Sequence, residues 1–509
     1  MKLVFLHNNN NNNNNNKHLI KHSHYSSTQP FYEYNKLCKC NLSQTTNNQC
    51  HLIQNFQILL NEIPSKLQKL DFAVYPNNPK YNNLRFIYNK LLNVFPHAIF
   101  YPTNSSQIAY LIKQFSKYNL DFAIRCGGHA YEPASLSSGY VLDVTKLPSY
   151  IHINRYQNTI KISAGYRLGK VIEYLAKYNL IMPTGESSCV GISGISLMGG
   201  KGVLTRMYGL MCDNIVSLKM INYQGNLITV NNNTNADLFW AMKGAGNGNF
   251  GVVCEIEMKI YNDICCQFQT FQWTWNNDNA VDIFNTYQQW ILTIPNNISA
   301  NFSMIYKNGT ASIEIKFIKY GPQPFTENAI FKSMYSPTIT SKNGLYSNTT
   351  DYWVEYDTGN NPPFSKIKSS MIFEPISLDA IRILINSIDT YLNYQYAMIY
   401  EIVFSQLGGF VNNVNNAANS CYYPRDAIME MSYFMEWTLP ELTDRSKLFL
   451  SDLYNSMVQY TSQYCFANLI DYDIIDYMNS YYGTNSARLI QLKNKYDPNN
   501  MFKSVQSIR

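Results

Sequence analysis

Three glycine-rich segments constrain the fold of this chain more than any other feature of its sequence. They are Arg125–His129, Gly191–Gly202 and Gly244–Gly251, in a region where short strand-like runs alternate with helical ones. Glycines between a strand and a helix can be plain turns, or they can let backbone N–H groups approach a phosphate. One isolated pair favours the turn, whereas three such corners in one region favour a bound phosphorylated cofactor.

Two nucleoside-triphosphate motifs are excluded by neighbouring residues. The segment 246–253 satisfies the glycine-loop pattern of protein kinases, but no His-Arg-Asp or Asp-Phe-Gly follows it. Gly200-Lys201 resembles the end of a P-loop, yet Ile195 stands where that motif needs glycine and Gly202 where it needs Ser or Thr. A strand-initial dinucleotide fingerprint is absent as well.

The composition indicates two or three packed units and excludes several classes of protein. The chain has 509 residues, of which 46% are hydrophobic and 15% charged. Its net charge of +6 is too weak a bias for a nucleic-acid binder, and no apolar run approaches the ~18–20 residues of a membrane span. We therefore expect neither nucleic acid nor a membrane as a partner.

The cysteines and the first residues leave the compartment open. The 11 cysteines are scattered and odd in number, and no Cys-x-x-Cys occurs, so neither a disulfide framework nor a zinc site is expected. The opening MKLVFL is too short for the apolar core of a signal peptide. A cytoplasmic location and unconventional export both remain open, and so does the oligomeric state.

Residues 1–50 form a low-complexity, asparagine-rich segment that we expect to be disordered. Its histidines, His18, His22 and His24, are interpreted as part of a solvated tail and not as metal ligands, since no partner ligands lie nearby in the sequence.

The rest of the chain divides into a mixed α+β region over residues 55–262, a region of long strands and helices over 263–464, and a short tail from 465 to 509. Apolar residues that alternate with polar ones in the middle region predict an antiparallel sheet with helices on one face. The same periodicities predict a set of elements. The strands are expected at Phe122–Arg125, Ile215–Asn222, Leu227–Val230, Ile313–Phe317, Tyr396–Phe404 and Ile428–Trp437, and the helices at Asn104–Phe115, Leu168–Leu175, Leu378–Leu392 and Leu448–Tyr460.

His129 is the most informative single residue, because it directly follows Gly127-Gly128. A lone histidine is usually a packed or a surface residue. Beside a phosphate-type loop, however, an imidazole is suited to act as a nucleophile, a proton carrier or a covalent attachment point. We therefore expect His129 to meet the cofactor.

Several further motifs follow one another in order along the chain. They are Arg125–His129, Gly139–Val144, Gly185–Gly194 with Gly199–Gly202, Asp213-Asn214, Asp237–Ala241 with Asn249–Val253, and Tyr481–Asn485 with Arg488-Leu489 and Lys495–Asn499. In this order the chain resembles the berberine bridge enzyme-like flavin oxidoreductases, strongly in the glycine-rich region, well near the carboxyl end and weakly in the middle.

The resemblance implies an α+β fold with a PCMH-type FAD-binding domain of two α+β subdomains, an antiparallel substrate-binding sheet, and a tail that returns to the flavin domain. It implies FAD attached covalently to His129 through the 8α-methyl group of the flavin. Many relatives add a second bond from a cysteine at the place of Ser187. Serine forms no thioether, so we expect a single bond, although Cys189 lies two residues further on. The other cofactor-binding residues that the resemblance implies are Arg125, Cys126, Gly127, Gly128, Ser187, Val190, Gly191, Ser193, Gly194, Gly199, Gly200, Val253 and Asn485.

The resemblance also implies where a base should lie. Flavin dehydrogenation needs a group that accepts the proton of a substrate O–H or N–H, and a tyrosine with a lowered pKa can do this. Tyr481 is implied as that base, with Tyr482 in support. Ser432 stands where some relatives carry a Glu or Gln. By strand alternation, Glu430 and Glu436 share its face, and we expect them to be solvated.

Val190 matches a position that relatives tend to fill with valine when oxygen accepts the electrons. The sequence therefore predicts an FAD-dependent oxidase that acts with O2 on an alcohol, a sugar or an amine-bearing small molecule. Two alternatives stay open. One is a dehydrogenase with another acceptor; the other is a non-catalytic flavin-fold binding protein, which the missing cysteine and the missing strand carboxylate suggest.

Overall fold

The computed structural model describes residues 63–350, 363–394 and 398–509. The asparagine-rich segment with its three histidines lies outside the described residues. Within the described part of the chain, no helix is both long enough and apolar enough to cross a membrane.

The first part of the fold is a small mixed sheet beside a capped helix. Its strands run in the order β1-β2-β4-β3, with β2, β4 and β3 parallel and β1 antiparallel. The Asn104 side chain accepts a hydrogen bond from the Gln107 N–H and so begins helix α2, as predicted. The elements are β1 (Ala73–Val74), α1 (Tyr81–Leu84), β2 (Ala98–Phe100), α2 (Ser105–Tyr118), β3 (Phe122–Arg125) and β4 (Tyr140–Asp143).

The second part is an antiparallel five-stranded sheet in the order β5-β6-β10-β8-β9, and a separate pair of short strands, β7 and β11, lies beside it. A hairpin turn at Gly225 joins the last two strands of this order, β8 and β9, and the Gly225 φ of +74° suits glycine. The elements are β5 (Ile151–Asn154), β6 (Thr159–Ser163), α3 (Leu168–Ala176), β7 (Leu180–Ile181), α4 (Ile192–Ser196), α5 (Thr205–Tyr208), β8 (Ile215–Ile221), β9 (Leu227–Asn231), α6 (Ala236–Ala245), β10 (Val252–Lys259) and β11 (Tyr261–Asn262).

The third part is a seven-stranded antiparallel sheet in the order β15-β12-β14-β13-β17-β18-β16. The elements are β12 (Cys265–Thr274), α7 (Asn277–Trp290), β13 (Ile298–Lys307), β14 (Thr310–Tyr320), α8 (Ala329–Lys332), β15 (Thr338–Leu345), β16 (Phe364–Ile372), α9 (Leu378–Tyr394), β17 (Ile399–Gln406), α10 (Val414–Asn419), β18 (Met429–Trp437) and α11 (Thr443–Met457).

This sheet has one apolar face and one polar face, because successive side chains of a strand point to opposite sides. In β14, Ile313, Ile315 and Phe317 are buried in one core with apolar residues of α7, α9 and α11. Glu314 and Lys316 point to the other side and line a cleft. The predicted antiparallel sheet covered by helices on one face is therefore confirmed.

The tail returns to the first two parts of the fold. It contains α12 (Tyr477–Tyr482) and α13 (Ser486–Tyr496). Leu489 and Phe502 join the same hydrophobic core as residues of the first two sheets, and the Phe502 ring contacts Phe122 edge-on. The architecture is α+β, as expected from the sequence.

Candidate active site

A cleft with about 1220 Å³ of free space separates the glycine-rich segments from the polar face of the seven-stranded sheet. Ordinary small-molecule pockets hold roughly 300–1,000 Å³, so this cleft has room for a large cofactor together with a substrate. Ten of the predicted cofactor-binding residues line it: Cys126, Gly127, Gly128, His129, Ser187, Val190, Gly191, Ser193, Gly194 and Val253.

Two glycine segments cross at the floor of the cleft with no room for a side chain. A Cβ on Gly127 would lie 2.2 Å from the Gly191 nitrogen, and one on Gly191 would lie 2.3 Å from the Gly127 nitrogen. Beside this crossing, the Cys126 thiol lies 3.2 Å from the Ala164 carbonyl oxygen. Burial raises the pKa of the Cys126 thiol to about 11, which keeps it protonated.

The floor also leaves space that the chain itself does not fill. A Cβ on Gly194 would meet nothing within 4 Å, so packing does not explain this glycine. The buried Ser135 hydroxyl, which also borders the cleft, has no hydrogen-bond partner among the described residues. Open space above a glycine and an orphaned hydroxyl are what a bound polar cofactor would use, so the residues present fit FAD.

His129 stands in the cleft with its ring held by an aromatic neighbour. The imidazole stacks on the Tyr88 ring, with centroids 4.1 Å apart and an interplanar angle of 18°. The Tyr88 hydroxyl in turn donates a hydrogen bond of 2.7 Å to Glu436 Oε1 on strand β18. This chain of contacts ties the loop after β3 to the sheet on the far side of the cleft.

Ser187 and Cys189 lie side by side at the cleft wall. Their side-chain oxygen and sulfur atoms are 3.2 Å apart. Val190, which was predicted to bear on oxygen access, lines the cleft next to them.

The other predicted cofactor-binding residues do not line the cleft. Arg125 is buried and forms a 2.5 Å ion pair with Asp143. The Gly200 N–H donates to Asn468 Oδ1 at 2.8 Å, and Gly199 lies next to the Tyr422 ring. The Asn485 amide donates to the Cys421 carbonyl at 3.1 Å. These residues shape the surroundings of the cleft, and their direct contact with the cofactor stays a prediction.

Tyr481 does not reach the cleft as the base prediction requires. Its hydroxyl accepts a 2.9 Å hydrogen bond from the Asp471 N–H and lies 3.2 Å from Gln506 Oε1. Burial raises its pKa well above the usual value, whereas a base needs a lowered one. Burial also raises the pKa of Tyr482, and both rings line a smaller adjoining pocket. The tail structure explains this: α12 turns the tyrosines into the core.

The tail reaches the cleft through an earlier segment, Phe466–Ile470, which sequence reasoning did not single out. Asn468 fixes it, because its side chain accepts from the Gly200 N–H and donates to the Ile195 carbonyl at 3.1 Å. None of these five side chains is ionisable. No periodic pattern in the sequence marks this segment.

The sheet wall is richer in polar groups than the sequence analysis proposed. Besides Ser432 and Glu436 it carries four charged residues on neighbouring strands: Glu314, Lys316, Glu401 and Lys307. The alternation in β14 could have identified Glu314 and Lys316. Glu430 shares the face of Ser432, as predicted. It is not solvated, however, because its side chain is fully buried and lies 3.0 Å from the Lys201 ammonium.

Two protein families match the chain. A family of FAD binding domains matches residues 96–231, and the family described as "Berberine and berberine like" matches residues 465–509. The uncharacterized FAD-linked oxidoreductase YgaK of Bacillus subtilis is 31% identical over 443 residues, which cover 85% of this chain and 95% of that protein.

Two solved structures share the fold. The berberine bridge enzyme-like protein 1 of Physcomitrella patens has a TM-score of 0.77 at 22% identity, and the match covers 86% of this chain and 96% of that one. A carbohydrate oxidase from Microdochium nivale has a TM-score of 0.77 at 22% identity, and the match covers 90% of this chain and 99% of the other. With its cleft, its two matching families and its bacterial relative, the chain belongs to the berberine bridge enzyme-like FAD-linked oxidoreductases.

Proposed function

We propose that this protein is an oxidase that carries FAD covalently on His129 and oxidises a small alcohol, sugar or amine-bearing molecule with O2 as the acceptor. The single observation that carries this proposal is the position of His129. It lines a cleft whose floor is bare backbone and whose opposite wall is a sheet of hydroxyl, amide and charged groups.

The two walls suit different parts of such a reaction. The glycine floor fits a large planar and phosphorylated group, while the sheet presents groups such as Asn301, Ser303 and Ser432 that can hydrogen-bond a polar substrate. FAD supplies the chemistry, since it accepts a hydride from a carbon and passes the electrons on. The residues of this chain bind and orient the substrate and take up its proton.

The choice of O2 as the acceptor has two supports. Val190 lines the cleft, and the resemblance links valine at this position to oxygen use. In addition, a carbohydrate oxidase shares the fold of this chain. A dehydrogenase would instead pass its electrons to another acceptor.

A flavin-retention experiment tests the attachment. Purified protein denatured in acid should keep its yellow colour in the precipitate, and His129→Ala should lose it to the supernatant. A colourless wild-type precipitate with flavin in the supernatant would disprove the covalent bond while leaving FAD binding intact.

A turnover experiment tests the reaction. A panel of alcohols, sugars and amines is offered to the holoenzyme, and both peroxide release and reduction of an artificial dye are followed. Peroxide release supports the oxidase, and dye reduction without peroxide identifies a dehydrogenase. If no member of the panel bleaches the flavin under anaerobic conditions, the result favours a non-catalytic flavin-binding protein.

A further inference from the structure

A single side-chain hydroxyl group, that of Ser432, stands between the cleft and the buried Glu430 carboxylate. The Ser432 hydroxyl lines the cleft and donates a 2.6 Å hydrogen bond to Glu430 Oε1. Glu430 itself is fully buried, at 0% exposure. Both side chains lie on the same face of β18, because they are two residues apart in a strand. A proton that reaches the Ser432 oxygen from the cleft therefore has an acceptor directly behind it.

Lys201 balances the charge of this carboxylate. Its ammonium lies 3.0 Å from Glu430 Oε2 and donates a 2.6 Å hydrogen bond to the Ser405 hydroxyl on β17. An isolated buried carboxylate is costly, so an ion pair is needed to keep it in the core. The pairing occupies Oε2 and leaves Oε1 to Ser432.

Three distant parts of the chain meet at this point of the cleft. Lys201 comes from the second glycine-rich segment and lies 5.6 Å from the centre of the Phe466 ring in the tail. The adjacent Gly200 N–H binds Asn468 of the same tail segment. That tail segment carries no ionisable group and Tyr481 points into the core, whereas the Glu430 carboxylate lies at this junction through its pair with the Lys201 ammonium.

Glu436 is the competing carboxylate on the same strand face. It lies six residues beyond Glu430 along β18, which is about 20 Å at ~3.3 Å per residue. There the Glu436 carboxylate accepts a hydrogen bond from the Tyr88 hydroxyl, whose ring stacks on His129. Glu436 is therefore remote from the tail junction. Its hydrogen bond connects it to the predicted attachment point of the cofactor.

We propose that Ser432 and Glu430 form a proton relay for the oxidation of a hydroxyl-bearing substrate, with Lys201 as a positioning residue. This proposal rests on the proposed function. The substrate C–H bond would break with its hydrogen and both electrons leaving as a hydride for FAD. The substrate hydroxyl proton passes to the Ser432 oxygen while the Ser432 proton passes to Glu430 Oε1. The products are a carbonyl compound, two-electron-reduced FAD and a neutral Glu430 carboxyl, so atoms and charges balance.

The kinetic test uses the holoenzyme and anaerobic flavin bleaching by a panel of alcohols and sugars. Glu430→Gln and Ser432→Ala should each slow bleaching by about 10²-fold or more, since a positioned base contributes roughly 10²–10⁴-fold. Glu327→Gln is the matched control, because Glu327 forms a 2.6 Å pair with the buried Lys319 elsewhere on the sheet.

A spectroscopic test follows the proton itself. Infrared difference spectra between substrate-reduced and oxidised enzyme should show a new protonated-carboxyl band in the wild type and in Glu327→Gln. The band should be absent from Glu430→Gln. Ser432→Ala leaves the Glu430–Lys201 pair in place, so it serves the same purpose if Glu430→Gln does not fold.

The outcomes separate the relay from the function that it serves. If both relay variants are bleached at the wild-type rate, or if the carboxyl band persists in Glu430→Gln, the relay is overturned and the oxidase remains. If no panel member bleaches the wild type, the proposed function fails and the relay fails with it.

Discussion

Replacing Asp471 by asparagine should destabilise the protein, because this carboxylate joins the tail to the sheet. Its side chain is 1% exposed and lies 2.6 Å from the Lys366 ammonium and 2.7 Å from that of Lys368, both on the edge strand β16. Its backbone N–H is bonded to Tyr481, and the cleft-lining segment ends at the residue before it. Asp471→Asn keeps the shape of the side chain and removes its charge.

The expected loss in the free energy of unfolding depends on the charged partners that Lys366 and Lys368 keep. Breaking a buried ion pair costs about 3–5 kcal/mol. Glu132 stays 2.5 Å from Lys366 and Asp473 stays 2.6 Å from Lys368, so both lysines keep a partner. We therefore expect a loss at the lower end of this range. The entropy of unfolding is about 2.1 cal/mol/K per residue, or ~0.9 kcal/mol/K for roughly 430 ordered residues. A loss of about 3 kcal/mol therefore lowers Tm by about 3 °C.

Thermal unfolding followed by circular dichroism measures this shift. Glu173→Gln is the control, since Glu173 forms an exposed 2.9 Å pair with Lys170 on α3 and such pairs contribute about 0–1 kcal/mol. The reasoning is refuted if Asp471→Asn melts at the wild-type temperature, or if the two variants lose the same amount.

Three further predictions concern the cleft and its supports. Gly191→Ala should lower the flavin-to-protein absorbance ratio, because its Cβ would meet the Gly127 nitrogen at 2.3 Å. Tyr481→Phe should lower the free energy of unfolding by about 1 kcal/mol in thermal unfolding, yet the rate of flavin bleaching should stay at the wild-type value. A ~10²-fold slower bleaching would instead identify Tyr481 as the base. Burial opposes the ionisation of Asp473, but Lys368 and Lys366 outweigh it and lower its pKa to about 2. This carboxylate therefore stabilises the fold above about pH 4, and Asp473→Asn should lose less stability than wild type on acidification to about pH 2.

The regular elements could be predicted from the sequence because their signals are local. Asn104 caps α2, and the alternation at Ile313–Phe317 marks β14, in each case through neighbours a few residues away. One helix shows the limit of such signals. The predicted helix from Leu448 actually begins at Thr443, since the polar first turn of α11 carries no apolar periodicity.

The site was only partly predictable, because a glycine motif does not say which of its residues face a ligand. Gly127 and Gly191 line the cleft, whereas Gly199 and Gly200 contact the protein itself. Likewise, alternation placed Glu430 on the face of Ser432, but its burial depends on Lys201, which is more than two hundred residues away in the sequence.

The sequence by itself determined the α+β architecture, the glycine-floored cleft and the place of His129, since these follow from local periodicity and from ordered motifs. Only the tertiary structure decided which tail residues meet the cleft and which carboxylate stands behind it. The physical reason is that a side chain's exposure and charge partners depend on contacts between distant segments: Tyr481 is drawn into the core by Asp471, and Glu430 is held there by Lys201.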